Sequence, residues 1–231
     1  GVDSSNLNES IGKQYYYART AKYGYNGTKD SDGYTSFMYS HMMKNTEWGA
    51  VAYLSSSVYG KNGKVWNNPY FNNKTNYSSI TGLCGNATNG KNNATTNMSN
   101  TVKYNEVGGE NASTTGNIYG VYDMAGGAWE YVAGIYTGGT SNDNRSNLWD
   151  RDNSKYVEKY TETTGLPENY YGNTTKYGDA VYETSSSGKS SSDSWDSSHS
   201  GFPNSDAPVF ARGGHAASTS SAGVFAFIRN T

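Results

Sequence analysis

Cys84 is the only cysteine in this 231-residue chain, which excludes an intrachain disulfide and a thiolate zinc site. Charge is scarce too: 16% of the residues are Asp, Glu, Lys or Arg, and the formal net charge is −2. No run of Lys or Arg makes a basic stripe, so nothing draws the chain to a phosphate backbone, and nucleic acid is not an expected partner. No stretch approaches the roughly 20 apolar residues of a membrane span. The start Gly1-Val2-Asp3-Ser4 has no signal-peptide character, so the chain reads as trimmed, with any leader or anchor left out.

What is present is polar and aromatic. With 34% apolar residues, solubility rests on Asn, Ser, Thr, Gly and Tyr, which is an extracellular-looking surface. Disorder is countered by 22 Tyr, 5 Trp and 6 Phe, large side chains that need a core. Nothing in the composition shifts sharply enough to demand a boundary, so residues 1–231 read as one loop-rich domain.

Gly, Asn and Asp punctuation around Tyr15-Tyr16-Tyr17 predicts strands joined by turns up to Gly33. A helix is predicted after Asn45, with Thr46 as N-cap, Glu47 at its positive end, Trp48, Val51 and Ala52 on one face, and fraying from Ser55 to Gly60. Residues 61–116 and 138–198 read as long irregular loops with short strands. The densest structural signal runs from Gly116 to Val132. Apolar and aromatic positions alternate through Ile118 and Val121, Gly126-Gly127 makes a tight turn, and Trp129, Tyr131 and Val132 re-enter the core. Val209 to Gly214 and Ala222 to Phe227 read as terminal strands joined by His215 to Ser221.

Three of these segments, Thr46-Glu47-Trp48, Tyr122-Asp123-Met124-Ala125-Gly126-Gly127-Ala128-Trp129-Glu130-Tyr131 and Arg212-Gly213-Gly214, come in an order that resembles the formylglycine-generating-enzyme (sulfatase-modifying) branch of the C-type-lectin fold. The departures are Gly127 where that family has Asn and Tyr131 where it usually has Trp. The resemblance implies a mixed α/β, C-type-lectin-like fold with short antiparallel strands and few helices. It does not carry the activity. The two copper-binding cysteines of the enzymes fall at Ser218 and Gly223, and Cys84 is far away and alone, so no catalytic residue is expected.

A closer resemblance is to the variable proteins of diversity-generating retroelements, which use this fold as a scaffold for hypervariable residues. The invariant frame would be Ser200-Gly201-Phe202-Pro203, Pro208, Phe210, Arg212-Gly213-Gly214, Ala222-Gly223-Val224-Phe225 and Phe227. The open, ligand-contacting positions would be Asn204, Ser205 and Asp206; His215, Ala216, Ala217, Ser218, Thr219, Ser220 and Ser221; and Ile228, Arg229, Asn230 and Thr231. That group continues to a Gly-Phe-Arg strand, which does not appear before Thr231 and is expected from a continuation of the chain or from elsewhere. The resemblance implies a binding protein on a bacterial cell surface, pilus or phage particle, with a protein or glycan ligand on another surface.

The residues themselves fit a binding use. Arg212 can hold carboxylates or carbonyls behind the turn, Gly213-Gly214 allow positive φ, and Tyr, Ser, Gly and Asn are favoured paratope residues. His41, His199 and His215 lack metal-ligand spacing, and His215 reads as a contact residue. Asp30-Ser31-Asp32-Gly33 and Asp150-Arg151-Asp152-Asn153 are similar to calcium loops, and this fold often holds structural calcium, but neither completes the ligand spacing and no cofactor is expected. Gly188-Lys189-Ser190 lacks the earlier Gly of a phosphate loop, and no Gly-x-Ser-x-Gly elbow occurs. The alternatives are a formylglycine-generating-type enzyme relic and a pilin-like structural surface subunit.

Overall fold

The computed structural model of the chain describes residues 11–20, 40–60, 113, 116–122, 124, 129–136, 155–160, 178–181, 201–204, 206–214 and 223–230. Two helices, α1 (Ile11–Thr20) and α2 (Asn45–Ser56), accompany four strands: β1 (Glu130–Tyr136), β2 (Glu158–Tyr160), β3 (Val209–Arg212) and β4 (Phe227–Asn230). The strands form one sheet in the order β2-β1-β3-β4. β1 runs parallel to β2 and antiparallel to β3, and β3 runs antiparallel to β4. The fold is mixed α/β with few helices among the described residues.

Alternation along the strands gives the sheet two apolar faces. On one, Val132, Tyr136, Tyr160, Phe210 and Phe227 pack with Trp48 and Ala52 of α2. On the other, Ala133, Ile135, Val157 and Val209 pack with Ile11 and Tyr15 of α1. A sheet buried on both faces reads as near-continuous apolar runs, which is why Val132 to Tyr136 and Val209 to Ala211 are buried without interruption. Trp48 is 1% exposed, and truncating such a side chain to alanine costs about 3–5 kcal/mol.

α2 forms where its sequence predicts it, but its cap lies two residues earlier. Lys44 is the N-cap, in extended backbone geometry, and the Glu47 carboxylate reaches back to accept the Lys44 amide at 2.9 Å. Thr46 is not the cap because Glu158 of β2 claims it: the Thr46 hydroxyl and amide both donate to that carboxylate. Two carboxylates therefore face the positive end of α2.

Other expectations change. Tyr15-Tyr16-Tyr17 lies on helix α1 rather than on a strand, because Ile11 and Tyr15, one helical turn apart, both meet the sheet. Ile118, Tyr119 and Val121 are exposed, Tyr119 at 92%, on a turn closed by the Gly120 amide donating to the Asn117 carbonyl. Trp129 and Tyr131 are half-buried, so only Val132 of that re-entry is fully interior. The last strand begins at Phe227, since Gly223 to Ala226 form a turn in which the Ala226 amide donates to the Gly223 carbonyl. Gly126-Gly127 and the two calcium-like stretches lie outside the described residues.

Candidate functional site

A buried polar network lies at the end of β3. Arg212, at the end of β3, is wholly buried; its Nη2 donates to the Ala180 carbonyl at 3.1 Å and its Nη1 to Asn45 Oδ1 at 3.5 Å. The Asn45 amide donates to the Tyr160 hydroxyl at 3.1 Å, and that hydroxyl donates to Asp179 Oδ2 at 2.9 Å. The Val181 amide donates to Asp179 Oδ1 at 2.9 Å. A buried cation and a buried anion are thus joined through two neutral side chains drawn from α2 and β2. Removing one member of such a set is far more damaging than never having built it. Within it, Asn45 and Tyr160 each bond both of their neighbours.

Above this network the chain leaves β3 at Arg212 and returns before β4. Gly213 and Gly214 have φ of 85° and 77°, a conformation that side chains oppose. The Gly223 amide donates to the Gly213 carbonyl at 3.1 Å, and the Gly213 amide donates to the Ala226 carbonyl at 3.2 Å. These bonds form a neck that brings together the two ends of the segment between Gly214 and Gly223. Gly213, Gly214, Gly223, Val224, Phe225 and Ala226 are all buried. The anticipated role of Arg212 in holding carbonyls behind the turn is met by Ala180 and Val224, whose oxygen lies 3.5 Å from Nη2.

Phe202, Pro203, Pro208, Phe210, Arg212, Gly213, Gly214, Gly223, Val224, Phe225 and Phe227 of the frame are buried, while Gly201 is half-buried. Of the open positions, Asp206 and Arg229 are exposed. Asn204 is half-buried and sewn into its own turn, accepting the Asp206 and Ala207 amides at 3.1 and 2.8 Å. Ile228 and Asn230 are also half-buried, and Asn230 donates to the Tyr131 hydroxyl at 3.0 Å. Ile228, Arg229 and Asn230, read from the sequence as open positions, are thus not open alike. They belong to β4, where alternation sends Arg229 to one side of the sheet and its two neighbours to the other. Ser205, His215 to Ser221 and Thr231 lie outside the described residues, as do Ser200 and Ala222.

The exposure of Tyr53 and Tyr119 is not evident from the sequence. Gly213 lies against the Met124 backbone, four residues past the turn that exposes Tyr119, and Phe225 meets Tyr53 of α2 edge-on at 5.8 Å. The available signal was Asn117, whose side chain accepts the Tyr119 amide at 3.0 Å and marks a turn rather than a strand.

Farther away, His41 Nε2 lies 2.9 and 3.1 Å from the two Glu47 oxygens, and Lys44 Nζ is 3.7 Å from one of them. Burial works against the Glu47 charge, but the Lys44 amide, the His41 ring and the Lys44 ammonium outweigh it and hold the carboxyl below its ordinary pKa. Among the described residues no three His, Cys, Asp or Glu side chains converge as a metal site, and no helix is long and apolar enough to cross a membrane. No family model, curated protein or solved structure matches the chain.

Proposed function

We propose that this chain is a non-catalytic ligand- or receptor-binding surface protein with a C-type-lectin-like fold, a variable protein of a diversity-generating retroelement whose C-terminal stretch is its binding face. The observation that carries this reading is the neck at Gly213 and Gly223. Backbone bonds and buried frame residues hold both of its ends, as a scaffold for interchangeable side chains requires. Surface changes away from packed contacts commonly cost under about 0.5 kcal/mol, whereas core changes cost several. A diversified protein needs that separation. The ligand in this reading is a protein or glycan on another cell or surface, met from a bacterial cell surface, pilus or phage particle. No cofactor takes part, and any calcium is structural.

Two observations test it together. The gene should lie beside a reverse-transcriptase gene and a near-copy of its own 3′ end, and sister copies should differ mainly at Asn204 to Asp206, His215 to Ser221 and Ile228 to Thr231. Grafting a sister copy's residues 215–221 should exchange the bound ligand and leave the unfolding temperature nearly unchanged. Differences spread evenly along the chain would end the reading.

A further inference from the structure

We infer that the C-terminal end of α2 is a contact surface for a second copy of this chain, giving a weak two-fold dimer. The helix closes with Ser55 and Ser56 and is capped by Ser57, a run whose composition suits a hydrophilic end. Its hydroxyls turn back onto the helix instead. Ser55 donates to the Ala52 carbonyl at 2.6 Å, Ser56 to the Ala52 and Tyr53 carbonyls at 3.3 and 3.2 Å, and Ser57 to the Leu54 carbonyl at 2.7 Å. The chain then folds tightly over the helix end. The Gly60 amide donates to the Ser57 carbonyl at 3.0 Å and the Tyr59 amide to the Ser57 hydroxyl at 3.2 Å, while a β-carbon on Gly60 would collide with the Leu54 and Ser55 carbonyls. Leu54, Val58 and Tyr59 are left outermost, 47%, 77% and 82% exposed, with the exposed Tyr53 beside them. The helix that carries them is fixed in place, since the Trp48 indole donates its N–H to the Val224 carbonyl at 2.6 Å.

Size and charge select the occupant of this surface. An aromatic side chain alone carries roughly 150–250 Å², so these four leave on the order of 400 Å² open, an extent that marks an interaction site. Residues 53–60 contain no Asp, Glu, Lys, Arg or His, so nothing there attracts lipid headgroups. The three serine hydroxyls that could read a sugar are already donated to carbonyls. The same lack of charge lets two copies face each other without repulsion, and the formal net charge of −2 adds little at longer range. Closed two-fold pairing is the commonest arrangement of identical chains. Two such surfaces bury about 800 Å² between them, short of the roughly 1,200 Å² of stable interfaces, which makes the dimer weak and concentration-dependent.

The test is sedimentation equilibrium of the whole chain from about 10 μM to about 1 mM, a range that spans weak association. The weight-average mass should climb from 25.0 kDa toward twice that value. Val58→Ser combined with Tyr59→Ser should weaken association at least about tenfold, as loss of an aromatic anchor implies. Tyr119→Ser alters an exposed tyrosine on another turn and should leave association within about twofold of the parent. The inference is overturned by a chain that stays monomeric at the highest concentration, by association that survives the double variant, by an equal loss in Tyr119→Ser, or by mass rising past the dimer. Should the double variant not fold, the parent's own spectra decide. Amide resonances of residues 54–60 should move with concentration while those of β1 and β3 stay in place, and movement of both sets or of neither overturns the inference.

Discussion

The Tyr160 hydroxyl stands between Asn45 and Asp179, accepting from the first at 3.1 Å and donating to the second at 2.9 Å, with all three side chains buried. This places β2 in register with α2 and with the 178–181 segment at once. Tyr160→Phe preserves the ring contacts with Phe202 and Phe210 but takes one partner from each polar neighbour. The expected loss is about 1–3 kcal/mol of unfolding free energy, measured by urea denaturation. A variant as stable as the parent would show that the hydroxyl bridges nothing of consequence.

Gly49 poses helix propensity against packing. Alanine in a helix interior is ordinarily favoured over glycine by about 1 kcal/mol. At this position, however, a β-carbon would sit 1.9 Å from the Gly178 carbonyl oxygen, which is backbone and cannot rotate away. Gly49→Ala is therefore expected to destabilise by about 1–3 kcal/mol or more. A rise in melting temperature would contradict the close approach of α2 to Gly178.

The β4 positions should differ among themselves. Arg229→Ala is expected to change stability by less than about 0.5 kcal/mol. Ile228→Ala should cost more, though below the roughly 2–5 kcal/mol of a fully buried isoleucine, and Asn230→Ala should lose about 1 kcal/mol with its bond to Tyr131. Chemical denaturation of the three variants checks the order, and equal effects would contradict the alternation.

Glu47 supplies an acid-sensitive element. Its folded pKa lies below the ordinary 4.5, so its charge contributes stability above that pH, and the contribution disappears as pH falls through the lowered folded value. Glu47→Gln can still accept the Lys44 amide but carries no charge. The difference in melting temperature between parent and variant should be present above pH 4.5 and shrink below it. The effect is expected to be modest, since the side chain is 38% exposed. A difference that grows on acidification would invert the sign argued here.

Much of the interior could be read from the chain. Trp48 and Ala52 announced a helix face by their spacing, and Arg212-Gly213-Gly214 announced a turn with carbonyls behind it. Other features depended on partners distant in sequence. Nothing near Thr46 reveals that Glu158 will bind it, so the sequence points to a cap two residues late. The Tyr15 run has strand-like composition, and only the turn-apart pairing of Ile11 and Tyr15 indicates a helix. Val224, Phe225 and Ala226 look like a strand because they are apolar, yet they are buried as a turn, and the ladder starts where Phe227 meets Arg212. Of the face itself, β4 kept Arg229 exposed and drew Ile228 and Asn230 partly inward, because a strand allots its side chains by parity.

The bond between Trp48 and Val224 also bears on how the chain acquires its structure. α2 precedes all four strands in the chain, and the carbonyl that its tryptophan binds comes only with the turn before β4. A ribosome must therefore pass residue 224 before that tryptophan can make its hydrogen bond. Contacts of such long sequence separation place folding in the slow regime of sheet-rich proteins, with times of order milliseconds to seconds. Until then the Trp48 N–H lacks the carbonyl that it meets in the folded chain.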